Sequence, residues 1–295
     1  MLPHRFQYHR PTTLEQAFAL LDAYGDDAAF YAGGTELLLA LKARVLRYDH
    51  LVDLKSISGL KGVRCVDGEI VIGALSTHYA LANDTVLQRL LPAYAVLSNG
   101  IANIRVRVAG TIGGNLCFAE PHADPPPFLA AAGAVVVLRS AAGERRLAVA
   151  EFIEGEFTTQ RAPDEILTEI RIPLPSPETR FSYQSFGHLE RPAVGVAAVY
   201  AIEEGAPKYR LWVGAIGDHP INLISVEEAI AGVPPENLDD VLPGAALAAA
   251  ETLPAHDDLQ GSAEYKQHLA SVLIRRALAQ ATGRPAQKEA LHGAA

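Results

Sequence analysis

Two short segments of the chain put small residues where backbone amides could meet an anion. Tyr31-Ala32-Gly33-Gly34-Thr35-Glu36 reads as a strand running into a helix. Consecutive glycines there let N–H groups approach a ligand with no Cβ in the way. Thr35 adds a hydroxyl, and the start of the following helix adds partial positive charge. Alone the signal is weak, because most Gly-Gly-Thr turns are only turns. The second segment, Gly110-Thr111-Ile112-Gly113-Gly114-Asn115, repeats the same chemistry. Two such loops suit a diphosphate, one for each phosphate. Neither carries the Gly-Lys-Ser/Thr of a P-loop or the G-x-G-x-x-G spacing of a Rossmann unit. An FAD site of a different fold is the natural reading.

Other chemistry-bearing residues are weaker signals. Asp124 precedes Pro125-Pro126-Pro127 and could touch a ligand or simply cap a helix beginning at Pro125. His78 and His122 lie near the glycine segments, where a surface or packing role is the simpler reading. His4 and His9 are too far apart for a convincing metal pair, and neither H-E-x-x-H nor Gly-x-Ser-x-Gly occurs. The two cysteines, Cys65 and Cys117, read as free thiols and are too few for a Cys₄ zinc site or an iron–sulfur cluster. The formal charge of −9 argues against nucleic acid as a partner. No apolar run approaches the ~20 residues of a membrane span. The N-terminal stretch is too polar for a signal peptide, so a cytoplasmic location is expected.

The elements that must position these residues follow from periodicity and punctuation. Thr12 or Thr13 can cap a helix over 14–24, followed by a strand at Phe30-Tyr31-Ala32, a helix from Glu36 to Arg44 and a strand at Leu51-Val52-Asp53-Leu54. Asp67-Gly68 between apolar runs signals a hairpin. Residues 76–98 read as helical, with Thr77 as cap and Pro92 as an interruption. Strands are expected over Ala134 to Arg139 and 166–172. Pro173, Pro175 and Pro177 mark the best boundary in the chain. Beyond it, strands at 194–202 and 209–216 precede helices at 225–231, 241–251 and 262–281. The expected domains are 1–177, with lobes of about 1–58 and 59–177, then 178–285, then a frayed tail over 286–295. The class is α+β.

At the glycine segments and their flanks the sequence resembles the medium, FAD-binding subunit of the molybdenum hydroxylases, the family of xanthine, aldehyde and carbon monoxide dehydrogenases. The likeness rests on Tyr8, Arg10-Pro11 and Leu14-Glu15, on Ala32-Gly33-Gly34-Thr35, and on Leu51-Val52-Asp53-Leu54. It continues through Ile72-Gly73-Ala74, Thr77, Gly110 to Asn115, Pro121, Ala123-Asp124 and Pro126. Glu165-Ile166-Leu167 and Asp257, Gly261-Ser262-Ala263 and Tyr265 extend it over nearly the whole chain.

The resemblance implies a two-lobed fold like that of p-cresol methylhydroxylase, followed by a smaller α+β C-terminal domain. By position, Phe30, Tyr31, Ala32, Gly33, Gly34, Thr35, Glu36 and Leu37 would wrap the FAD diphosphate together with Thr111, Gly113, Gly114 and Asn115. Asp124 would bond a hydroxyl or ring group of the cofactor. Ile101 and Leu167 would pack near the flavin, and Tyr183 would reach over its ring. No catalytic residue and no metal ligand is expected in this chain. The molybdenum cofactor would sit on a large partner subunit and two [2Fe–2S] clusters on a small one, in a dimer of heterotrimers. Electrons would pass from the clusters through FAD to NAD⁺, a quinone, a cytochrome or O₂. Two cysteines exclude the relative that carries a [4Fe–4S] insertion.

Departures from the family pattern bear on that acceptor. Arg105 and Val108 replace a Gln and an Asn around Val106-Arg107, Ser185 replaces a lysine, and His188-Leu189 replace paired arginines. The acceptor therefore stays open. Two rivals are a free-standing flavin oxidase of the same fold and a non-catalytic scaffold that has lost FAD.

Overall fold

The structure is a computed structural model that describes residues 3–188 and 190–285. The expectations for Leu189 and for a tail over 286–295 lie outside those residues.

The chain opens with a parallel three-stranded sheet in which His50–Asp53 lies between Gln7–His9 and Ala28–Tyr31. The helix Leu14–Tyr24 packs beside it, started by Thr13, whose side chain accepts from the Gln16 amide. Ala17, Val52, Leu54 and Ile57 form a small core under this sheet. The turn after Ala28–Tyr31 carries the first glycine pair and leads into the helix Leu37–Ala43.

A five-stranded antiparallel sheet follows, ordered Val63–Val66, Glu69–Gly73, Ile166–Pro173, Val135–Ser140, Gly143–Ala148. Asp67 and Gly68, both at positive φ, close the expected hairpin. The central strand Ile166–Pro173 is buried along most of its length and shifts register between Leu167 and Glu169. Such a bulge redirects side chains on either side of it. The helical stretch expected at 76–98 is three helices, His78–Ala82, Thr85–Leu90 and Pro92–Gly100. Asp84 makes the first break by accepting from the amides of Val86 and Leu87, and Pro92 makes the second at a first helical position.

Beyond the proline-rich stretch, Arg180–His188, Arg191–Glu203, Ala206–Gly214 and Ile221–Asn222 form an antiparallel sheet. The first of these strands was not expected from the sequence. The helices Leu238–Glu251 and Ala263–Ala281 close a separate apolar core over this sheet. The helix Pro125–Ala131 packs against the strands Arg191–Glu203 and Ala206–Gly214, and Gly214 lets Pro127 approach. Two elements near the second glycine segment also escaped the sequence reading, the helices Ile104–Ala109 and Ile112–Phe118.

Candidate functional site

The first glycine turn is shaped by what its missing side chains admit. Gly34 has φ +74°, and a Cβ there would lie 2.3 Å from the ring of Tyr31. Tyr31 is therefore packed beneath the turn, with Lys55 Nζ 3.7 Å from its ring centroid and donating to the Ala32 carbonyl at 3.1 Å. A Cβ on Gly33 would fall 2.1 Å from the Ala109 carbonyl oxygen. The two glycine segments thus press backbone against backbone, and the Thr35 hydroxyl lies 3.5 Å from where a Gly110 Cβ would stand. Among the described residues, none accepts from the amides of Gly33, Gly34 or Thr35.

The second segment works differently. Thr111 caps the helix Ile112–Phe118 by accepting from the Gly114 amide. The Ile112 amide donates to Ser76 at 3.1 Å and the Gly113 amide to Ala74 at 2.8 Å. All three amides are occupied, so this segment does not present the open anion cradle its glycines suggest. Gly113 is needed for close approach, since a Cβ would lie 2.7 Å from that of Ala74. The hydrogen-bond potential offered here belongs to Asn115, whose buried Oδ1 has no partner.

A cavity of about 390 Å³ runs between the two segments and on toward the C-terminal sheet. That is within the usual size for a ligand pocket. Every sequence-predicted site residue lines it except Tyr31 and Tyr183. Tyr183 instead crosses Gly195, where a Cβ would lie 2.0 Å from its hydroxyl, and donates to Asp124 Oδ1 at 2.8 Å. Asp124 starts the helix Pro125–Ala131 but makes no side-chain cap bond. Burial pushes its carboxyl up to about 6, bonds from Tyr183 and Ser185 oppose the rise, and the charge of Glu120 adds to it.

Several lining residues escaped the sequence reading. Arg161 donates to the carbonyls of Ala162 at 3.0 Å, Pro163 at 3.3 Å and Glu165 at 2.8 Å, and its guanidinium lies 5.9 Å from the Phe30 ring centroid. No local signal marks it, because its partners are main-chain oxygens of a turn. Outside the cavity wall, Arg107 donates to the carbonyls of Ile101 and Ala102, holding Ala102 at φ 39° so that both residues face the cavity. His78 is buried, with its Nδ1 unpartnered, and burial lowers its titration to about 4, so the ring is neutral at physiological pH.

These features fit FAD on observations of the chain itself. Three amides without an acceptor among the described residues, and a hydroxyl, sit in one turn that lines the cavity. A buried amide oxygen lacks a donor that a ribose or ribityl hydroxyl would supply, and leaving such an acceptor unpaired costs about 1–3 kcal/mol. A cavity connects the two. The described residues contain no group of three or more side chains able to hold a metal ion. No described helix is long and apolar enough to cross a membrane.

Comparison with known proteins agrees with this chemistry. Residues 4–175 match the profile of the FAD binding domain in molybdopterin dehydrogenase, and residues 189–281 match the CO dehydrogenase flavoprotein C-terminal domain. The chain is 34% identical to the carbon monoxide dehydrogenase medium chain of Afipia carboxidovorans, over 96% of this chain and 99% of that one. It is 33% identical to the caffeine dehydrogenase subunit beta of a Pseudomonas species, over 96% and 97%. Among solved structures, carbon monoxide dehydrogenase from Hydrogenophaga pseudoflava superposes with a TM-score of 0.91 at 31% identity, covering 96% of this chain and 99% of that one.

Proposed function

The chain belongs to the FAD-binding medium subunits of the molybdenum hydroxylases, and from that premise we propose that it is the relay by which electrons leave such an enzyme. In this reading, a large partner subunit oxidises the substrate at a molybdenum cofactor. A small partner carries two [2Fe–2S] clusters, and the assembly is a cytoplasmic dimer of heterotrimers. Bound FAD would supply the two-electron carrier between the clusters and an external acceptor.

The chain's own residues hold that carrier and set its surroundings. The amides of Gly33, Gly34 and Thr35, with the Thr35 hydroxyl, would hold the diphosphate. Asn115 takes a hydroxyl at its free Oδ1. Gly33 brings the two segments together at Ala109 and Gly110, and Gly113, packed on Ala74 with its amide donated there, adds no donor of its own. Asp124, already held by Tyr183, has carboxylate capacity left for a cofactor hydroxyl or ring N–H. Ile101 and Leu167 line the cavity as apolar wall that would lie near the flavin, and the bulge after Leu167 sets that residue's direction.

The observation that carries this reading is the first glycine turn, with its amides unoccupied, at the end of a cavity that also meets Asn115 and Asp124. The test is flavin content. Purified chain, alone or with its co-purifying subunits, should show the visible absorption of bound FAD or take FAD up on reconstitution. A colourless chain that takes up none would overturn the reading and favour a scaffold. Substrate oxidation by the isolated chain would favour the free-standing oxidase.

A further inference from the structure

The cavity segment Glu120–Asp124 belongs to the first half of the chain, yet its side chains are held from the second. Glu120 Oε1 accepts from Arg191 at 3.0 Å, and Asp124 accepts from Tyr183. Between them His122 stands with Nδ1 3.1 Å from Glu120 Oε1 and Nε2 3.1 Å from Asp258 Oδ2. Asp258 is fixed in turn by Lys266, whose ammonium is buried, lies 2.5 Å from the same oxygen and also donates to the His256 carbonyl at 3.0 Å. Charges therefore alternate from Arg191 through Glu120, His122 and Asp258 to Lys266.

An imidazole has one N–H when neutral and two when protonated. With a carboxylate oxygen at each nitrogen, only the imidazolium donates to both. The neutral ring leaves one nitrogen lone pair facing a carboxylate oxygen. We propose that His122 is a positioning residue that, as imidazolium, clasps the cavity-lining Glu120–Asp124 segment to the C-terminal half at Asp258, so that cofactor retention follows its protonation. This rests on the FAD reading for its readout but not for its geometry.

The sign follows from the partners. The bond to Glu120 raises the titration of His122 above its ordinary 6.5, burial opposes the rise, and the Glu120 charge and Asp258 add to it. The clasp is complete below the unfolded value and is lost as pH climbs through the higher folded one.

FAD binding to the full chain should be measured by fluorescence titration between about pH 7 and 9, above the titration of Asp124, for wild type and His122→Gln. Glutamine can still donate to one carboxylate but does not titrate. Wild-type affinity should fall about tenfold across that range, the effect of losing one charge-assisted bond, whereas the variant should give a flat profile near the wild-type alkaline value. A flat wild-type profile, or the same slope in the variant, would overturn the clasp. Amide hydrogen exchange of residues 120–124, compared between the two proteins at each pH, gives a second reading that needs no cofactor. Opening with pH in wild type but not in the variant supports the clasp, and equal protection throughout overturns it. A chain that takes up no FAD at any pH would sink the cofactor reading, while the exchange data would still decide the clasp.

Discussion

Asp124 shows how far a single residue's role depends on its surroundings. Half-buried and bonded to Tyr183, its carboxyl is pushed up from the ordinary 3.8 to about 6 by loss of solvent. A carboxyl raised on folding favours folding only while it is protonated. That contribution is complete below the unfolded value and is lost as pH climbs through the folded one. At about 1.36 kcal/mol per pH unit, keeping it ionised costs the empty chain roughly 2–3 kcal/mol above pH 7. Asp124→Asn keeps an oxygen for Tyr183 and removes the charge. The cofactor-free variant should melt higher than wild type at pH 8, with no gain at pH 3, while binding FAD more weakly. A lower melting temperature at pH 8 would contradict this account. Asn115→Leu should likewise leave the empty chain at least as stable, since it removes an unpartnered buried oxygen, and should weaken FAD binding about tenfold or more. The residue types at these positions were legible in the sequence. Their partners were not, because Tyr183 and Ser185 reach Asp124 from a strand that no periodicity announced.

Among the elements, legibility followed local chemistry. Thr13, Thr77 and the pair Asp67-Gly68 act on neighbours a few residues away, and the helix starts and hairpin they mark are present. The helix Ile112–Phe118 carries no helical signal in its sequence, since glycine is a poor helix former. It is stabilised by contacts no local rule contains, the bonds from Ile112 and Gly113 to Ser76 and Ala74. The glycines that suggested an anion cradle are there partly for close packing, and only the first turn keeps its amides open. Two substitutions separate these roles. Thr111→Val removes the cap and should cost about 1 kcal/mol, read as a lowered denaturation midpoint. Gly113→Ala adds a methyl 2.7 Å from the Ala74 side chain and should cost about 1–3 kcal/mol by overpacking. If the alanine variant were as stable as wild type, the close approach of these segments would not matter.

For the whole molecule, the described residues hold three apolar cores, and residues of two of them, Ile101 and Leu167 of one and Leu54, Leu75 and Ile166 of another, line the cavity. Its walls come from the first sheet, from the helices about the second glycine segment, and from the turn leading into the strand Arg191–Glu203. A ligand spanning them should stabilise them together. FAD at about one hundred times its dissociation constant adds roughly 2.7 kcal/mol to the folded state, so thermal unfolding should shift upward as one transition when it is added. A shift confined to one of two separate transitions would show that only part of the chain feels the ligand. The α+β class and the family were readable from motifs spread along the chain. The way the C-terminal half closes over the site was not, because it depends on Arg191, Asp258 and Lys266, which carry no motif of their own.

The contact of Gly33 with the Ala109 carbonyl also bears on the order of events during synthesis. The first glycine turn leaves the ribosome long before the segment it rests on, and it has no settled backing until that segment has folded against Ser76 and Ala74. A nascent chain thus has no finished socket to offer while it is short. Cofactor loading belongs to the end of translation or after it, and conditions that starve the cell of flavin should leave a completed, vacant chain rather than a stalled or truncated one.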